Sequence, residues 1–75
     1  MNNRSPILTT TEQVVHALGG TRAIAELTGR KYTAAAHWLK FETFPSNTFL
    51  VMSSELERRG LSAPASLWNM QEPVT

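Results

Sequence analysis

The sequence predicts an all-α fold, a compact bundle of four short helices plus a C-terminal turn or short fifth helix. Three observations lead there. Apolar residues recur three and four apart around Val14–Leu18, Ala23–Leu27, Ala35–Leu39 and Phe49–Leu56. Helix start and stop residues fall between these groups, with threonines at 9–11, Gly19-Gly20, Gly29, Pro45 and Gly60. No run of β-branched residues alternates with polar ones, so no strand is predicted.

The elements follow in order. Residues 1–8 are expected to form a flexible N-terminal segment, polar through Pro6. Thr9 with Glu12, or Thr10 with Gln13, forms a capping box for a first helix that reaches about Leu18, with Val14, Val15 and Leu18 inward. Gly19-Gly20 ends it. Thr21 can cap a second helix whose apolar stripe is Ala23, Ile24 and Leu27. Thr28-Gly29-Arg30 breaks that stripe, and a third helix carries Ala35, Trp38 and Leu39. Pro45 ends this run, because the residue before a proline is pushed towards extended backbone. A fourth helix is expected from Ser46 or Asn47 to Arg59, with Phe49, Leu50, Met52, Ser53 and Leu56 inward. Arg58 and Arg59 suit its negative end as solvated charges, and Gly60 suits the position just beyond. Pro64 and the SLWNM run allow one more turn, and residues 71–75 read as a disordered tail. Trp38, Phe41, Phe44, Phe49 and Trp68 are the bulky side chains available to fill the core, and Trp68 and Met70 also suit a dimer contact.

Residues 19–40, GGTRAIAELTGRKYTAAAHWLK, carry the functional signal. A short helix, a glycine-centred turn and a second helix with basic and polar residues form the pattern of a helix-turn-helix. In that motif the second helix enters the DNA major groove. At about 100° per residue, Ala35, Trp38, Leu39 and Glu42 share one side of this second helix. Thr33, Ala36, His37 and Lys40 share the other, with Lys31 and Tyr32 at its N-terminal end. An amphipathic helix whose polar side faces only water fits the same spacing.

Composition sets the bounds. Seventy-five residues allow one small domain, taken as residues 9–70, with one modest core. Without cysteine there is no disulfide and no thiolate metal site, and His16 and His37 have no third ligand at a recognisable spacing. No phosphate-binding glycine loop or nucleophile motif is present, so neither an enzyme, a cofactor, a metal nor a small-molecule ligand is expected. The opening MNNRSPILTT has no apolar signal-type core, and no apolar run approaches the ~20 residues of a membrane span. A cytoplasmic protein is expected.

Net charge is only +1, but its distribution is uneven. From Gly20 to Lys40, Arg22, Arg30, Lys31 and Lys40 stand against Glu26, a local +3. Elsewhere Arg4, Arg58 and Arg59 stand against Glu12, Glu42, Glu55, Glu57 and Glu72, a local −2. So few cations neutralise only a handful of phosphates per copy, which favours a homodimer on two half-sites of a palindromic operator.

The stretch LGGTRAIAELTGRKYTAAAHWLKFETFP resembles phage Cro/repressor-like helix-turn-helix proteins, within the lambda-repressor-like DNA-binding class. Ala25 falls at the close contact between the motif helices, Gly29 in the turn, and Ala35 and Trp38 at the inward positions of the second helix. The resemblance covers residues 8–70, including the ERRG helix end and APASLW. It implies that Lys31, Tyr32, Thr33, Ala36, His37 and Lys40 line the major-groove face, with Arg22 and Arg30 on phosphates. Each of these cations also reads as a solvated surface charge, and Tyr32 as cover for the motif's own core. Two residues depart from the family pattern. Arg30 replaces the usual aliphatic residue after the turn glycine, and Ala35 is smaller than the common Val or Ile. Either the Arg30 stem lies on the core and its guanidinium reaches a phosphate, or the turn is altered and the recognition helix starts elsewhere.

Two functions are therefore expected to compete. One is a sequence-specific DNA-binding transcriptional regulator, a repressor acting as a homodimer. The other is a small helical interaction module, an antirepressor or a partner of another regulator, that does not bind DNA.

Overall fold

The first helix, α1 (Thr11–Ala17), starts at a threonine cap, Thr10. Thr10 Oγ1 accepts from the Gln13 backbone N–H at 3.1 Å, and Gln13 Oε1 accepts from the Thr9 backbone N–H at 2.7 Å. Of the two overlapping boxes, the chain forms half of the Thr10–Gln13 one, because Gln13 reaches back past the cap residue to Thr9 N–H. Leu18 follows the last helical residue, and Val14, Val15 and Leu18 are buried as expected.

The computed structural model describes residues 7–70. Most of the expected flexible segment 1–8, and all of the tail 71–75, lie outside the described residues. Ile7 and Leu8 do not belong with a free segment. Leu8 N–H donates to Ser62 O at 2.8 Å, and Ile7 forms an isolated parallel bridge with Ser62. Among the described residues there are four α-helices, two 3₁₀ turns and no strand.

Both glycines between α1 and α2 (Thr21–Thr28) have positive φ, +107° at Gly19 and +105° at Gly20. Gly19 closes α1, and a Cβ there would sit 3.1 Å from the Ala23 Cβ. Gly20 supplies the carbonyl that starts α2, accepting from Ile24 N–H at 3.1 Å. Thr21 is thus the first helical residue and does not cap the helix, which has no side-chain cap.

Gly29, at φ +71°, ends α2 in a Schellman turn. Arg30 N–H donates to Ala25 O at 2.9 Å, and Gly29 N–H to Glu26 O at 3.3 Å. Helix α3 (Tyr32–Phe41) then begins after an extended Lys31 and ends at Glu42, whose φ is +57°. The chain enters a 3₁₀ turn (Ser46–Thr48) that leads into α4 (Phe49–Arg58). Gly60 and Leu61 close α4 with the same paired bonds, to Glu57 O and Leu56 O. A second 3₁₀ turn (Ala65–Trp68) completes the fold.

Helix α2 packs on α1, α3 and α4, and α3 also meets α1. The core joins Val14, Val15, Leu18, Ile24, Ala25, Ala35, Trp38, Phe44, Met52, Leu56 and Trp68. Phe44 is its aromatic hub. Its ring lies 5.0 Å from Trp68 and 6.3 Å edge-on from Trp38, and Phe49 meets Trp68 edge-on at 5.2 Å. Phe44 N–H also donates to Leu67 O at 2.8 Å, drawing the last turn onto the α3–α4 loop. Trp68 is fully buried and serves the core.

Two expected core residues face outward. Phe41 is 57% exposed at the end of α3, and Leu50 is 77% exposed on α4. Leu50 lies roughly 160° round the helix from Met52 and 120° from Leu56, which are the buried residues of α4. The terminal arginines are not merely solvated. Glu55 accepts from Arg58 Nε at 3.2 Å and from Arg59 Nε at 2.9 Å, and Arg59 Nη1 donates to Ala17 O at 3.1 Å. The end of α4 is thereby tied to the end of α1. These hydrogen bonds, from Arg58 first and then Arg59, hold the Glu55 carboxyl down from its ordinary 4.5 to about 2.

Candidate nucleic-acid interface

Helix termini in this chain are treated in two ways. Helix α1 begins conventionally, with a threonine cap and the acidic Glu12 in its first turn. Helices α2, α3 and α4 have no side-chain cap and no acidic residue in their first turns. At two of them cations stand instead, Arg22 in the first turn of α2, and Arg30 and Lys31 immediately before α3. A helix N-terminus already carries about half a positive charge, so cations placed there cost stability and concentrate positive potential. Such ends favour an anion.

Helix α3 is fixed by its inner side. Ala35 is buried to 1% exposure and Trp38 to 8%, with Leu39 half-buried. Anchoring that side turns Thr33, His37 and Lys40 to solvent, with Tyr32 exposed and Ala36 half-buried beside them. Ala35 leaves room for close approach, and Thr28 Oγ1 donates back to Ile24 O at 2.8 Å, satisfying its hydroxyl within α2.

The structure gathers Arg30, Lys31, Thr33 and His37, with Gly29, Ala34 and Trp38, around one open depression of about 570 Å³. No carboxylate lines it. Among the described residues the only ion pairs are those of Glu55, so Arg22, Arg30, Lys31 and Lys40 are all free of a carboxylate partner. Arg30 is exposed, so its stem does not replace the aliphatic residue expected in the core. The Schellman bond from its own N–H holds the turn regular, and the helix begins at Tyr32, one residue beyond Lys31.

Not every candidate joins this cluster. Arg22 is exposed on α2 and lines no part of the depression. Lys40 faces the neighbouring hollow beside Thr9–Glu12 and Glu42, while its Nζ also reaches the Phe41 ring at 5.9 Å from the centroid. Tyr32 is 58% exposed and does not cover the core. Ala34 and Phe41 were missing from the expected face. The spacing i, i+4 from His37 to Phe41 was the available signal, and the rings lie 4.4 Å apart.

Among the described residues, no group of three or more His, Cys, Asp or Glu side chains is placed to hold a metal ion, and no helix is long and apolar enough to cross a membrane. Comparison with family models, with curated proteins and with solved structures produced no match.

Proposed function

We propose that this protein is a sequence-specific DNA-binding transcriptional regulator, a Cro-like repressor of the helix-turn-helix class. One observation carries the reading: α3 begins with uncapped N–H groups next to Arg30 and Lys31, which pair with no carboxylate among the described residues and border a carboxylate-free depression along α3. In this reading α3 lies in the major groove. Lys31 bonds guanine O6 or N7, Thr33 and Ala36 meet bases at close range, and His37 donates to a base or phosphate acceptor. Arg22 and Arg30, with the open amide ends of α2 and α3, hold the phosphates on either side. Two copies on the half-sites of a palindromic operator supply the contacts that one copy lacks. Such a regulator works in the cytoplasm.

The competing reading is a helical interaction module, such as an antirepressor, and the exposed Leu50 and Val51 of α4 favour it. His37→Ala and Lys40→Ala separate the two. Each is expected to weaken binding to a selected duplex without changing helicity by circular dichroism. Unchanged affinity in both variants would remove α3 from the interface.

A further inference from the structure

The phenyl ring of Phe41 is exposed by 57% at the C-terminal end of α3, on the helix that also presents Thr33, His37 and Lys40. It is held in place there. The His37 ring lies 4.4 Å away at a 39° tilt, and Lys40 Nζ stands over the ring face at 5.9 Å. His37 and Phe41 also wall a second depression of about 420 Å³, which shares His37 and Trp38 with the first. The two depressions form one flank of α3, cationic at Arg30 and Lys31 and aromatic at Phe41.

A phenyl ring neither donates nor accepts a conventional hydrogen bond. In a major groove, the group it can distinguish is the apolar one, the thymine C5-methyl. A ring already packed against a tilted neighbour loses little freedom on making that contact. Lys40 Nζ, which stands over that ring face, turns to an adjacent phosphate when the methyl docks. We propose that Phe41, positioned by His37, is a specificity-determining residue that reads a thymine methyl. The proposal rests on the DNA-binding reading above.

The test uses the full chain and a duplex selected by the wild-type protein from a randomised pool. Each thymine is replaced in turn by deoxyuridine, and affinities are measured for wild type, Phe41→Ala and Phe41→Leu. At one or two thymines the wild type should lose about fourfold on loss of the methyl, the worth of one buried methyl group. Phe41→Ala should lose nothing further at those positions and keep the wild-type profile at all others. Phe41→Leu, still apolar, should retain part of the discrimination. Identical thymine-to-uracil profiles in wild type and Phe41→Ala would overturn the proposal while leaving DNA binding intact. An identical profile with an altered oligomeric state would overturn it in favour of a protein contact. Failure of the wild type to select any duplex would overturn the DNA-binding reading and the proposal with it.

Discussion

Glu42 ends α3 in a conformation that a glutamate adopts at a cost. Its φ and ψ are +57° and +37°, and the chain turns there through bonds from Glu42 N–H to Leu39 O and from Thr43 N–H to Trp38 O. A left-handed L-residue costs roughly 1–2 kcal/mol, which glycine does not incur. Glycine gives back about 0.4–1 kcal/mol through the greater freedom of its unfolded chain. Glu42→Gly should therefore stabilise the domain by about 0.5–1 kcal/mol, which is roughly 2–8 °C in Tm for a chain of this size. Removing a carboxylate from the negative end of α3 adds to the gain, so a second variant is needed to isolate the backbone contribution. Glu42→Ala also removes the charge but keeps the strain. Thermal melts by circular dichroism should place Glu42→Gly above Glu42→Ala. Equal melting temperatures would refute the left-handed turn, and with it the end of α3 that sets where Phe41 points.

Three further outcomes follow from the same structure. Trp38→Ala should cost about 3–5 kcal/mol, since Trp38 is only 8% exposed and its ring meets Phe44 edge-on, and a domain this small should be largely unfolded early in a urea titration. A well-folded variant would mean the inward face of α3 is misassigned. Glu55 binds its proton less readily folded than unfolded, so the stability it contributes is complete above pH 4.5 and is lost as pH falls towards about 2. Glu55→Gln should flatten that part of the acid-unfolding profile, and an unchanged profile would show that the Arg58 and Arg59 contacts do not persist in solution. Gly29→Ala, at φ +71° with no atom near a new Cβ, should add about 1–2 kcal/mol of backbone strain, offset by about 0.4–1 kcal/mol from a stiffer unfolded chain, a net loss of about 0.5–1 kcal/mol in chemical denaturation.

The apolar spacing placed Val14, Val15, Leu18, Ile24, Ala35 and Trp38 inside, because on short amphipathic helices one stripe meets the core. Start and stop chemistry located Thr10, Gly29 and Gly60 for the same local reason. Periodicity was silent in FLVM at the start of α4, where every residue is apolar, so Leu50 was assigned inward although the core turns towards Met52. Phe41 was misplaced for a tertiary reason. Phe44 and Trp68 already occupy the space beneath the α3–α4 loop, and that pairing joins residues 24 apart in the chain. Thr21 reads as a cap because nothing in the local pattern distinguishes which of two consecutive glycines ends a helix and which begins the next, and the structure gives that place to Gly20. At the candidate interface the residue types were legible, whereas the absence of carboxylates around them depends on how the helices pack.

The most direct measurement is fluorescence anisotropy of the purified protein on the DNA immediately upstream of its own coding sequence, beside a scrambled duplex, at two salt concentrations. A regulator that reads bases through α3 binds the native duplex more tightly, and that preference survives at the higher salt while overall affinity falls. Equal binding to both duplexes that vanishes with salt, or no binding at low salt, would contradict it.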